Sequence, residues 1–250
     1  KEGYSVGDFI GVSGNVMRTR VGEVTVNTGE LKMLAKSLLP IPEELKDIEV
    51  RSRQRYLDLL VNPEVMERFK FRSKMVEMMR QRFIGLGCYE VETPIMDTTY
   101  GGANAKPFIT HHNALDANLY LRISNELYLK RLLVGGLEGV FEFSRDFRNE
   151  GMDRTHNPEF TQVELYKAYT DYEWMMQMSE ALMSNVAREL LGNDKVEYMG
   201  QTIDLQVPWK RLSIYDGVRE YSGFDPETTS DEEIIRVSRE EDIEGDDIGY

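Results

Sequence analysis

The chain is 250 residues long and carries 44 acidic against 30 basic side chains, a net charge of −14, in an ordinary globular composition of 41% hydrophobic and 30% charged residues. Its length leaves room for one large domain, or for a large domain with a small appendage. No apolar run approaches the roughly 20 residues that span a bilayer, Lys1-Glu2-Gly3-Tyr4 does not resemble a signal peptide, and the single cysteine, Cys88, excludes an internal disulfide framework, so a cytoplasmic protein with no membrane partner is expected.

Residues 8–19 and 23–38 read as two strands joined at Val21-Gly22, with alternation at Val24 and Val26 and then Leu31 and Met33. Two strands cannot bury a core of their own, so residues 1–40 are expected to be the closing part of a small β domain. Pro40 and Pro42 punctuate, and an irregular charged connector, Glu43 to Leu60, forms most of a linker over 41–62. Asn62-Pro63-Glu64 then supplies a cap residue, a first-turn proline and an early acid. Val65, Phe69, Val76, Met79, Phe83 and Leu86 follow at helical spacing, and Gly85 and Gly87 mark the end. A short strand, Tyr89 to Glu92, stops at Thr93-Pro94, and two more amphipathic helices are predicted from about Asn125 to Leu133 and from Tyr172 to Leu191. Helices covering one side of an antiparallel sheet make residues 63–250 an α+β unit. The acidity is concentrated late. Eleven acidic residues and two arginines lie between Asp225 and Asp247, and runs such as Asp231-Glu232-Glu233 and Glu240-Glu241-Asp242 read as solvated helix faces or tail. The body is only mildly acidic, so charge does not exclude RNA.

The densest chemistry sits in a predicted hairpin. Val140 to Arg145 and Phe160 to Tyr169 are rich in aromatic and β-branched residues, while the segment between them is polar and carries Gly151 and Pro158. Side chains alternate along a strand, so Glu142, Ser144, Asp146 and Arg148 share one face of the first strand, and Phe160, Gln162, Glu164 and Tyr166 share one face of the second. Arg148 offers a planar fork suited to phosphate or carboxylate. Glu164 with the Tyr166 hydroxyl offers acceptors suited to a cation. Spacing alone equally allows these charges to pair with one another across the sheet. No glycine-rich phosphate loop is present, and His111, His112 and His156 do not stand at zinc-ligand spacing with Cys88. No metal site is therefore expected in this chain, and chemistry here must rest on positioning and charge.

Phe147-Arg148-Asn149-Glu150-Gly151, with His156-Asn157-Pro158-Glu159-Phe160-Thr161 and Glu164-Leu165-Tyr166, resembles the second signature motif of class II aminoacyl-tRNA synthetases. Val91-Glu92-Thr93-Pro94 resembles the first motif, Arg53 to Leu59 the connector, and Gly101 to Asn113 with Glu126 to Leu132 narrow the likeness to the lysyl-tRNA synthetase family. Aspartyl and asparaginyl relatives are expected to carry Arg-Asp-Glu where Arg148-Asn149-Glu150 stands.

That resemblance implies a class II catalytic core preceded by the last strands of an OB-fold anticodon-binding barrel, and a homodimer formed through the first motif. It implies activation of lysine by ATP with Mg2+, then transfer to tRNA(Lys). Arg148 would bring the ATP α-phosphate and the lysine carboxylate together; Asn149, Glu150, His156 and Asn157 would hold the nucleotide, and Phe160 would stack on adenine. Gly102 and Glu126 would hold the lysine α-amino group, and Glu164 and Tyr166 would read its ε-ammonium. The family's third motif and the acids that hold magnesium are absent, and after Leu212 the likeness is loose. An incomplete stretch of a longer synthetase is expected. A catalytically inactive relative that binds or dimerises, or a paralogue that lysylates a protein, also fits the motifs present.

Overall fold

Phe9–Arg18 (β1) and Val24–Ala35 (β2) form the expected antiparallel pair in this computed structural model, which describes residues 3–153 and 155–240. Gly22, at φ 89°, closes the turn, its N–H donating to the Thr19 carbonyl at 2.9 Å. Phe9, Val16 and Val24 stay exposed, as a lone hairpin requires.

The connector from Glu43 to Leu60 departs from the irregular segment its sequence suggests: it holds two short helices, Ile48–Arg53 (α1) and Arg55–Val61 (α2). Neither has the length for periodicity to announce it. Asp47 caps α1 by accepting from the Val50 N–H at 2.9 Å, and the fully buried Asp58 ties the pair together. Its carboxylate accepts from Arg51 at 2.7 Å, from Asn62 at 2.8 Å and from Arg55. Burial pushes that carboxyl upward, yet the hydrogen bonds from Asn62, Arg51 and Arg55 outweigh it and hold it below its ordinary value. Pro63–Gly85 (α3) begins at the predicted proline, but Asn62 makes no side-chain cap because its amide serves Asp58 and the Leu45 carbonyl instead. These elements belong to one compact unit ending at Leu86; a second begins at Gly87.

The second unit opens with Tyr89–Glu90 (β3), two residues shorter than predicted although the Val91 N–H still donates to the Phe141 carbonyl at 3.0 Å. Met96–Asp97 (β4), Ile109–His112 (β5) and Ala117–Leu121 (β6) form a sheet of order β4-β6-β5 that the sequence did not announce. Glu126–Val134 (α4) then packs against Gly139–Phe147 (β7) and Glu159–Lys167 (β8). The sheet order is β3-β7-β8; β7 and β8 are antiparallel and β3 runs parallel to β7. Ile123, Leu129, Val140 and Phe141 have no exposed surface and form the core around this junction. Gly139 is needed at the start of β7, since a Cβ there would lie 2.8 Å from the Cys88 sulfur. Cys88 itself is buried, which pushes its thiol up.

Tyr172–Leu191 (α5) has its predicted bounds, set by Asp171, which accepts from the Trp174 N–H at 2.8 Å, and by Gly192 at φ 79°. Lys195–Tyr198 (β9) and Gln201–Asp204 (β10) form a hairpin, followed by Ile214–Ser222 (α6) and Asp231–Glu240 (α7). The run Asp231-Glu232-Glu233 is the first turn of α7, where acids suit the helix dipole; Glu241 and Asp242 lie outside the described residues. Among the described residues no helix is long and apolar enough to cross a membrane.

Candidate active site

Register decides how the hairpin's polar side chains combine. Glu142 stands opposite Glu164, Ser144 opposite Gln162, and Asp146 opposite Phe160, and directly opposed residues of an antiparallel pair project to the same side. The two even-numbered sets are therefore one surface. Arg148 follows the end of β7 at the rim of that surface, with its guanidinium carbon 5.1 Å from the Phe160 ring centroid and its Nε donating to the Ile123 carbonyl at 3.4 Å. Its backbone N–H closes the hairpin on the Pro158 carbonyl at 2.9 Å. Among the described residues Arg148 has no carboxylate partner.

The two opposed glutamates differ in what they can still accept. A carboxylate has about four lone-pair positions. Glu142, 4% exposed, fills them with the Thr93 N–H (3.3 Å) and hydroxyl (2.7 Å), Arg122 (2.9 Å) and Asn125 (2.9 Å). Glu164 receives three hydrogen bonds, from Ser124 at 3.0 Å and Gln162 at 2.7 Å on Oε1 and from the Tyr166 hydroxyl at 2.9 Å on Oε2. No cation pairs with it among the described residues. Among the described residues the cross-sheet pairing that spacing allowed is not formed at Glu164 or Arg148, and Glu142 takes its cation from Arg122, outside the hairpin.

The other residues expected around an amino acid gather here too. The Ser124 hydroxyl accepts from the Glu126 N–H at 3.1 Å while donating to Glu164. Gly102, at φ 88°, lies so close that a Cβ would meet the Ser124 Oγ at 2.9 Å and the Glu126 Cβ at 3.0 Å. Glu126 pairs with Lys130 at 2.6 Å, and the Lys130 ammonium sits 5.8 Å from the Tyr166 ring centroid. Burial, and then Glu164, push the Tyr166 hydroxyl upward, so it stays a neutral donor across the physiological range.

The β7 side of this face is a fixed ionic cluster. Arg122, 7% exposed, reaches Glu142, Thr93, the Arg145 carbonyl at 2.9 Å and Asp146 at 3.0 Å. Replacing Arg122 by alanine leaves Glu142 buried without its cation, so a loss of about 3–5 kcal/mol is expected, read as a lowered urea midpoint. Burial pushes Asp146 up to about 6 against the opposing pull of Arg122 and Ser144, with Glu164 and Glu142 adding to the rise. Between an unfolded value near 3.8 and a folded value of about 6 the native state holds the extra proton. Stability should therefore fall as pH rises through that window. Glu142 acts oppositely. Despite its burial, Asn125, Thr93 and Arg122 hold it below its ordinary 4.5, so its contribution disappears only under more acidic conditions. In Asp146→Asn the slope between pH 4.5 and 6 should flatten, and an unchanged slope in urea unfolding would assign it to another group.

The residues expected on the nucleotide divide. Phe160 is stacked with Arg148. Asn149 and Glu150 tie the hairpin tip to Lys106, through the Asn149 N–H to the Lys106 carbonyl at 2.8 Å and the Lys106 N–H to Glu150 at 3.3 Å. His156 pairs with Asp153 at 2.7 Å, and Asn157 donates to the Glu159 carbonyl at 2.5 Å. Asn157 also lines a hollow of about 380 Å³ with Phe108, Phe147 and Pro158. A larger groove, about 1000 Å³, runs along α5 against Trp209–Ser213 and includes none of these side chains.

Residues 47–244 match the family of class II tRNA synthetases (D, K and N). The chain belongs to this family. It is 56% identical over 223 residues to a lysine–tRNA ligase of Pelotomaculum thermopropionicum, an alignment covering 88% of this chain and 44% of that protein. A lysine–tRNA ligase of Thermoanaerobacter pseudethanolicus is 51% identical over 96% of this chain and 49% of its own length. One from Christiangramia forsetii is 48% identical over 99% of this chain and 45% of its own length. The chain spans about half the length of the curated relatives it matches.

For a class II synthetase face, the motif residues alone were an incomplete reading. Ser124 and Gln162 contact Glu164, and Arg122 and Asn125 contact Glu142. The alternation rule already placed Gln162 beside Glu164; Ser124 and Arg122 come from 40 and 20 residues before their glutamates and had no local signal. Among the described residues no three His, Cys, Asp or Glu side chains are grouped to hold a metal ion.

Proposed function

We propose that this chain supplies the amino-acid and α-phosphate face of a lysine–tRNA ligase, which activates lysine with ATP and transfers it to tRNA(Lys). One observation carries the reading: among the described residues, an arginine without a carboxylate stands at the rim beside Phe160, and a glutamate without a cation lies further along the same strand face, beyond Gln162. An unpaired guanidinium and an unpaired, hydrogen-bonded carboxylate are costly to keep for structure alone. Together they suit a zwitterion with a second positive charge, whose carboxylate meets Arg148 and whose ammonium meets Glu164.

In this reading a lysine carboxylate oxygen bonds to the α-phosphorus, the bond to the β-phosphate's bridging oxygen breaks, and pyrophosphate leaves with that electron pair. The carboxylate is already ionised at neutral pH, so no general base is needed. Arg148 stabilises the charge growing on the phosphate oxygens, Phe160 offers its ring to adenine, and Asn149, Glu150, His156 and Asn157 close over the nucleotide. Gly102 and Glu126 receive the α-amino group, Glu164 and Tyr166 the ε-ammonium. No step is assigned to magnesium on these residues.

The same proposal reads residues 1–40 as the end of an OB-fold, 41–62 as a linker and 63–250 as catalytic domain, with a homodimer formed through Val91–Pro94 and a cytoplasmic location. Lysine-dependent ATP–pyrophosphate exchange by the full-length protein tests activation, and charging of tRNA separates a tRNA ligase from an enzyme that lysylates protein. Absence of exchange would favour an inactive binding protein.

A further inference from the structure

We propose that Ser124 and Gln162 are specificity residues which make Glu164 accept an ammonium and refuse a guanidinium. The inference rests on the reading of this face as a lysine site and goes a step beyond it. Both residues donate to the same oxygen, Oε1, at 3.0 and 2.7 Å, and the Tyr166 hydroxyl takes one position on Oε2 at 2.9 Å. One lone-pair direction, on Oε2, is left for a ligand.

The two candidate cations need different things from a carboxylate. An ammonium is a compact charge with three rotatable donors and is satisfied by a single acceptor direction. A guanidinium binds best as a planar fork, with two parallel N–H groups reaching both oxygens. Docking that fork on Glu164 requires displacing Ser124 or Gln162 from Oε1 and leaving a polar group in a half-buried place without a partner.

Ser124 cannot simply turn aside. Its oxygen is held by the Glu126 N–H at 3.1 Å, and the Gly102 backbone lies against it, so close that a Cβ there would stand 2.9 Å from Oγ. Gln162 lies on the strand that carries Glu164, two residues earlier and on the same side, which sets its amide beside the carboxylate. The opposed acid offers no alternative, since all four positions on Glu142 are occupied.

The test uses the full-length protein and compares L-lysine with L-homoarginine, which keeps the lysine stem and carries a guanidinium. Calorimetric affinities for both are measured in the unsubstituted protein, in Ser124→Ala/Gln162→Met, and in Ser124→Thr, which retains the donor. The double variant should lower the lysine-to-homoarginine affinity ratio by ~10-fold or more, mainly through tighter homoarginine binding. Ser124→Thr should keep the original ratio. A ratio unchanged in the double variant, or affinities that fall in parallel, overturns the inference while lysine binding by the unsubstituted protein upholds the lysine site. Failure of the unsubstituted protein to bind lysine overturns both.

Discussion

Replacing Glu164 by glutamine is expected to raise the lysine KM about 100-fold while changing the ATP KM by no more than about 2-fold. The substitution keeps the size and shape of the side chain and removes its charge. The Tyr166 hydroxyl, which now donates to Oε2 at 2.9 Å, can rotate to accept from an amide, so the local packing survives. An incoming ammonium instead loses the carboxylate that balances it. Removing one member of a desolvated charge pair costs roughly 2–5 kcal/mol, and the lower part of that range corresponds to the expected change. ATP is spared because, among the described residues, no hydrogen bond or ion pair links Glu164 to Arg148 or Phe160. Glu142→Gln provides the contrast: its carboxylate is closed by four internal hydrogen bonds, so its loss should appear in stability before it appears in lysine affinity. Equal losses of lysine and ATP affinity in Glu164→Gln, measured by pyrophosphate exchange, would make Glu164 a structural residue.

What could be read from the sequence follows from how local its causes are. α5 was bounded correctly because Asp171 and Gly192 act within one turn of the helix they delimit. The β7–β8 hairpin was recognisable from aromatic and β-branched flanks around a polar segment with Gly151 and Pro158, and alternation placed Glu164 and Tyr166 together. The short elements were not visible. α1 and α2 hold six and seven residues, too few for a period to emerge, and they depend on Asp58 collecting Arg51, Arg55 and Asn62 in three dimensions. Asn62 illustrates the same limit from the other side: its place in the sequence announces a cap, while the folded chain uses its amide on Asp58 and Leu45. At the candidate site the acids themselves were legible, but their remaining capacity for hydrogen bonds was not. Glu142 and Glu164 look alike in sequence, and only the side chains brought from Thr93, Arg122, Ser124 and Asn125 close one and leave the other open.

Arg148→Ala should lower kcat/KM for lysine-dependent pyrophosphate exchange by about 100- to 1000-fold, the range seen when a donor to developing charge is removed, and should leave stability within about 1 kcal/mol. The combination follows from its contacts. Arg122 is buried and paired with the carboxylates of Glu142 and Asp146, whereas among the described residues the Arg148 side chain has only the Phe160 ring at 5.1 Å and a long bond to the Ile123 carbonyl at 3.4 Å. A side chain with so few internal partners contributes little to the folded state and is available to an anion. Arg148→Lys should recover little of the loss, because an ammonium cannot present two parallel donors or stack its plane on Phe160. Exchange kinetics and urea unfolding on the same preparations check both halves together. If Arg148→Ala unfolds several kcal/mol more easily, its guanidinium is a structural tie; if exchange falls by less than about 10-fold, the α-phosphate is held elsewhere. Either result removes one of the two charges on which a nucleotide-and-lysine face depends.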